Sequence, residues 1–134
     1  MNKLEHIGIA VRNLDESNKL FARLLGVEHY KIEVVEREGV RTSFFKVGEV
    51  KIELLEATRP DSAIATFIEK RGEGIHHLAF DVSSVEKKIA AFTEDGFKVL
   101  SDKPMTGADN KMIAFLHPKS TNGVLVEICQ DKGS

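Results

Sequence analysis

At 134 residues, with 42% hydrophobic and 30% charged side chains, the chain has the size and composition of one compact domain, or of two half-size modules sharing a core. A formal net charge of −2 excludes the basic footprint of a nucleic-acid or anionic-membrane binder. The lone Cys129 excludes an intramolecular disulfide, no apolar run approaches the ~18 residues of a membrane span, and a strand pattern begins within a few residues of Met1; a cytoplasmic protein without a leader is expected.

Leu4 to Val11 alternates and is rich in β-branched residues, which predicts a strand. Asn13 or Asp15 then caps a helix to about Leu25, with Leu14, Leu20, Phe21, Leu24 and Leu25 on one face and Gly26 just past its end. Val27 to Glu36 reads as a strand, Arg37-Glu38-Gly39 as a turn, and Val40 to Val47 with Val50 to Ala57 as a hairpin around Gly48-Glu49. Arg59-Pro60-Asp61-Ser62 opens a connector with a short helix to about Lys70, broken by Gly72 and Gly74. A strand from Ile75 to Val82 follows. Ser83 or Ser84 caps a helix to about Glu94, ended by Gly96, and strands are expected at Phe97–Ser101, Lys111–Leu116 and Gly123–Gln130. The result is an α+β chain in which β-α-β-β-β occurs twice: module 4–58 and module 74–130, joined by a helical connector 59–73 within a single domain 1–134. The polar loops 102–110 and 117–122 are the expected places for substrate contacts.

The halves open alike, His6-Ile7-Gly8-Ile9-Ala10-Val11 and His77-Leu78-Ala79-Phe80-Asp81-Val82, and close alike, Ile52-Glu53-Leu54 and Val126-Glu127-Ile128. His6 precedes Glu53 by 47 residues and His77 precedes Glu127 by 50. Strand alternation puts each of the four on the less apolar face of its strand, beside small neighbours such as Gly8, Ala10 and Ala79. If the halves are copies packed about a pseudo-twofold axis, the four side chains meet at one point and form a divalent-metal site. The competing reading is four polar residues on the solvent face of a one-sided sheet. Two neutral imidazoles with two carboxylates suit Co²⁺, Ni²⁺, Mn²⁺, Fe²⁺ or Zn²⁺. On a six-coordinate ion they leave two positions for a chelating substrate, whose enolate the metal would stabilise while a carboxylate acts as general base.

Other candidates weigh less. His76 points away from His77 and is expected to pack or support it, His29 to lie on the surface, and His117, before Pro118 in a loop, to touch substrate or simply occupy the loop. Lys111 and Lys119 could meet phosphates, although solvated surface lysines are the plainer expectation.

At these residues the chain resembles a known family. The strings HIGIAV, VGEVKIELLE, GEGIHHLAF and IAFLHPKSTNGVLVEICQ are similar to those of the methylmalonyl-CoA epimerases, members of the vicinal-oxygen-chelate, glyoxalase-like superfamily of paired βαβββ modules, and the resemblance runs from about Leu4 to Gln130. It implies metal ligands at His6, Glu53, His77 and Glu127, with Co²⁺ foremost and Zn²⁺, Ni²⁺ or Mn²⁺ as alternatives. The expected fold is a curved sheet around that metal. The reaction it implies interconverts (R)- and (S)-methylmalonyl-CoA by proton transfer at C2 through a metal-stabilised enolate. The implied partners are a small acyl-CoA substrate and a second copy in a homodimer. Glu127 matches the residue that is both ligand and base. Some relatives carry a second Glu where this chain has Thr42, a poor base, which leaves Glu53 or a metal-bound water for the second face. The Glu53 position is often Gln in epimerases, and Glu occurs there in glyoxalase I.

Three other classes are the rivals to this reading. A glyoxalase I-type lactoylglutathione lyase would accept Glu53. A ring-cleaving iron dioxygenase is crowded out by the fourth ligand. A non-enzymatic small-molecule binding protein of the same fold would hold no metal.

Overall fold

The computed structural model describes residues 1–133; Ser134, the last residue of the expected domain, lies outside them. The chain divides into two compact units, His6–His76 and Met1–Glu5 together with the residues from His77 onward.

In the first unit the strands are β1 (Lys3–Ala10, whose first three residues belong to the second unit), β2 (Lys31–Val35), β3 (Val40–Val47) and β4 (Val50–Ala57), with helices α1 (Leu14–Leu25) and α2 (Ala63–Arg71). They run in the order β2-β3-β4-β1, antiparallel except that β1 and β4 are parallel. Parallel neighbours need a crossover, and α1 begins it. Asn13 caps α1 by accepting from the Glu16 N–H (3.0 Å), and Gly26 (φ 73°) ends it in the left-handed conformation. Leu14, Phe21 and Leu25 of α1 pack on Ile9, Phe45, Ile52 and Leu54, one face of the sheet. On the other face α2, capped by Ser62, lays Ile64, Phe67 and Ile68 on Ala10, Val40 and Leu55. His76 stands edge-on to Phe67 (5.0 Å), and burial lowers its pKa to about 4, so this ring packs as a neutral group.

The second unit repeats this plan with β5 (Gly74–Asp81, whose first three residues belong to the first unit), α3 (Val85–Glu94), β6 (Met105–Thr106), β7 (Lys111–Leu116) and β8 (Val126–Asp131), ordered β5-β8-β7-β6 with β5 and β8 parallel. α3, capped by Ser84, packs Val85 and Ile89 on Val82, Ala114 and Ile128. Ala79, Ile113 and Cys129 pack on the opposite face with Met105 and Phe115. The arm ahead of His6 is tied here, with the Asn2 N–H donating to Asp81 O (2.8 Å) and Glu5 facing Lys111 (3.6 Å).

The helix anchors repeat as well. The Leu14 N–H donates to Glu56 Oε2 (2.9 Å) at the start of α1, and the Val85 N–H donates to Gln130 Oε1 (2.6 Å) at the start of α3. Glu56 and Gln130 each lie three residues past the Glu of the repeat, on the helix side of the strand. Each satisfies a backbone donor that the helix itself leaves unpaired.

Several expected boundaries move. The strand expected at Val27–Glu36 shrinks to Lys31–Val35; it stops before Glu36 because 36–38 form a single 3₁₀ turn, in which the Glu36 and Arg37 carbonyls accept from Arg59. The strand expected at Phe97–Ser101 is reduced to one bridge, Val99 to Leu116, and the ladder instead takes up Met105–Thr106. Ser101 there bonds locally to Lys103 and Pro104 has no N–H, so the segment cannot stay in the ladder. The strand expected at Gly123–Gln130 starts only at Val126, since Gly123 and Val124 donate back to Pro118 and Thr121. Leu20 and Leu24, expected on the buried face of α1, are 52% and 69% exposed. Among the described residues no helix is long and apolar enough to cross a membrane.

Replacing Glu56 or Gln130 by Ala is expected to lower stability by about 1–2 kcal/mol each, by leaving a part-buried N–H unpaired. Urea denaturation checks this. A change within error at both positions would mean that water replaces the side chains at no cost.

Candidate functional site

Within the first unit the β1–β4 register sets Gly8 opposite Glu53, so that His6, two residues earlier, lies diagonally from Glu53 on one face. His6 Nδ1 is 3.2 Å from Glu53 Oε2. Within the second unit Ala79 stands opposite Glu127, and His77, again two residues earlier, brings Nε2 to 3.3 Å from Glu127 Oε1. A Gly or an Ala at the facing position leaves volume for the imidazole and the carboxylate to meet diagonally.

On its other side each Glu faces a phenylalanine, Phe44 on β3 or Phe115 on β7. Gly8 to Phe44 and Ala79 to Phe115 are both 36 residues, whereas Phe44 to Glu53 is 9 and Phe115 to Glu127 is 12. The three extra residues between His77 and Glu127 therefore lie wholly in the β7–β8 connection. Phe115 also meets His77 edge-on (6.0 Å, 88°), fixing that ring.

All four side chains are buried, His6 to 4% exposure, Glu53 to 5%, His77 to 6% and Glu127 to 5%, so the solvent-face alternative does not hold. Burying carboxylates is costly unless charge or hydrogen bonds compensate. Imidazole nitrogens with carboxylate oxygens are a donor set that fits a divalent cation of the Co²⁺, Zn²⁺, Ni²⁺ or Mn²⁺ kind.

The remaining candidates resolve differently. Thr42 on β3 is 1% exposed on the face that carries Glu53, opposite Leu55 of β4. His117 accepts from the Lys119 N–H through Nδ1 (3.0 Å) and so caps the 118–120 turn. His29, expected at the surface, is half-buried edge-on to Phe45 (5.9 Å). Lys111, considered for phosphates or as a solvated lysine, is 7% exposed and committed to Asp131 (2.6 Å) and Glu5 (3.6 Å). Lys119 is exposed. Sequence reasoning missed Phe44 and Phe115, although their equal spacing from Gly8 and Ala79 was available as a signal.

Burial, reinforced by the Glu127 and Glu5 carboxylates, pushes the Cys129 thiol well above its ordinary range, and its Sγ donates to Phe80 O (3.6 Å). An aromatic disulfide reagent at pH 8 is expected to leave native Cys129 essentially unmodified over minutes and to titrate one thiol after unfolding. Immediate stoichiometric modification would show that this face opens.

Comparison with known proteins agrees with this architecture. Residues 5–115 match the model of the Glyoxalase/Bleomycin resistance protein/Dioxygenase superfamily. The chain is 40% identical to the uncharacterized protein YqjC of Bacillus subtilis, covering 99% of this chain and 95% of that one. It is 36% identical to an ethylmalonyl-CoA/methylmalonyl-CoA epimerase of Cereibacter sphaeroides, covering 97% and 98%. A solved methylmalonyl-CoA epimerase in complex with methylmalonyl-CoA and NH4+ superposes with a TM-score of 0.95 at 37% identity, covering 99% of this chain and 96% of that one.

Proposed function

This chain belongs to the Glyoxalase/Bleomycin resistance protein/Dioxygenase superfamily, and from that membership we propose that it interconverts (R)- and (S)-methylmalonyl-CoA by moving the proton at C2. It has the glyoxalase-like fold of paired βαβββ modules and is an isomerase of the racemase and epimerase class. The observation that carries the reading is the buried His–Glu diagonal, made twice at the same register, in a chain so similar to a protein solved with methylmalonyl-CoA.

His6, Glu53, His77 and Glu127 would hold one divalent cation, with Co²⁺ the first choice. When bound, the cation supplies Lewis-acid stabilisation of the charge that leaves C2 for the thioester oxygen as the proton departs. The protein's own groups do the rest. Glu127 takes the C2 proton in one direction and returns it in the other, and its burial keeps competing water from that carbon. Phe115 and Ala79, on either side, restrict where the Glu127 carboxylate can point. Glu53 holds the cation and is the candidate for the second face within the ligand set.

We infer a homodimer, which would cover some of the exposed apolar side chains Leu20, Leu24, Val27, Ile32 and Val34. The single buried Cys129 supports a reducing, cytoplasmic setting.

The test is α-proton exchange. Chelator-treated protein, with and without Co²⁺, is given one epimer in deuterium oxide and the C2 proton is followed by NMR. Cobalt-dependent loss of that proton together with inversion is expected. Absence of exchange with every candidate metal would sink the epimerase reading and turn attention to hemithioacetal isomerisation or plain ligand binding. Glu53→Gln then separates its roles. A variant that keeps metal and full rate leaves Glu53 a ligand only, whereas one that keeps metal and loses inversion makes it a proton carrier.

A further inference from the structure

Among the described residues, three buried side-chain polar atoms have no hydrogen-bond partner: Asn18 Oδ1, His29 Nδ1 and Ser43 Oγ. All three belong to the first unit. Asn18 and His29 line an open cleft of about 860 Å³ between α1 and the segment that leads into β2, a size that holds a small molecule. Ser43 stands directly across from Ile32, another lining residue of the same cleft. Native proteins pair nearly every polar atom they bury, and an unpaired one destabilises the fold. Orphans gathered around one cleft mark it as a place where a partner from outside the chain completes the bonds.

The repeat sharpens this. Leu14 and Val85 are the anchored first residues of α1 and α3, and four residues further on the first unit has Asn18 where the second has Ile89. Ile89 is 6% exposed and packs in the core of its unit, whereas Asn18, at 7%, buries an amide in the corresponding place. An aliphatic side chain serves packing there, so an amide oxygen without a partner serves something else.

The charges of the cleft set the class of ligand. Lys19 and Arg23 stand one turn apart on α1, in the stripe that carries Asn18, and Glu28 and His29 line the other wall. None of Lys19, Arg23 and Glu28 takes part in an ion pair among the described residues, whereas Asp15, on the same stripe, is engaged with Arg41 (3.4 Å). Two cations one turn apart suit a carboxylate. Glu28 suits an ammonium, together with two acceptors, Asn18 Oδ1 and His29 Nδ1 in the tautomer that carries its proton on Nε2.

We propose that this cleft binds a small zwitterion, a free α-amino acid, with its carboxylate at Lys19 and Arg23 and its ammonium at Glu28, Asn18 and His29. Leu20 and Leu24 lie on the opposite flank of the helix, so covering them does not close the cleft. Binding here is separate from the reaction proposed above.

The test is an NMR titration of the full chain with each of the common free α-amino acids in turn. At least one is expected to shift the amide signals of Asn18, Arg23 and His29 to saturation. The matching amine without the carboxylate, and the matching acid without the amine, are each expected to bind about tenfold more weakly or worse, as is the amino acid to Arg23→Gln. Asn18→Leu is expected to lose affinity at least as far while melting no lower than the wild type, because it removes an unpaired amide. Arg23 is exposed, so Arg23→Gln gives its answer whether or not Asn18→Leu folds. No saturable shift with any amino acid would overturn the proposal. So would an amine or acid that binds as tightly as the zwitterion, or wild-type affinity in Arg23→Gln or in folded Asn18→Leu.

Discussion

Two carboxylates kept out of water set the terms for the rest of this structure. Glu53 and Glu127 are 5% exposed, each on a central strand between a parallel and an antiparallel neighbour. Such groups are tolerated only where their surroundings are rigid and their charge is answered. The parallel neighbour supplies a small residue directly across and a histidine on the diagonal, and the antiparallel neighbour supplies a phenylalanine. From the opposite side of the same strand, Glu56 or Gln130 ties down the first N–H of a helix, which holds the strand, and so the carboxylate, in place. The candidate site residue and the helix anchor are thus three apart on one strand.

Most of the fold was legible because strand alternation, caps and glycine stops agree with one another. Asn13, Ser62 and Ser84 cap the helices where polar residues precede apolar periodicity, and Gly48-Glu49 closes the two-residue hairpin as its type predicts. The misplaced strands have local causes. Around Val99 and Leu100 the composition favours a strand, but Ser101 and Pro104 remove the segment from the ladder. The residues before Val126 are equally apolar and are held in a turn by Pro118 and Thr121.

At the site, alternation told which face of its own strand each of His6, Glu53, His77 and Glu127 occupies but could not tell how deep that face lies. Period-two patterning is the same for a half-solvated sheet and for one whose second face is covered. For the same reason Lys111 read as a surface lysine, although its partners Glu5 and Asp131 lie far from it in sequence. Pairings between distant strands are set by register, and register across long loops is not written in local composition.

The whole difference in length between the two halves of the repeat is confined to the β7–β8 connection, while the ladder on either side keeps Phe115 opposite Glu127. That connection can therefore lengthen, shorten or be reopened as new chain termini without shifting a single ladder pair. Evolution, or a protein engineer, is free to rewrite that connection while the residues of the candidate site keep their places.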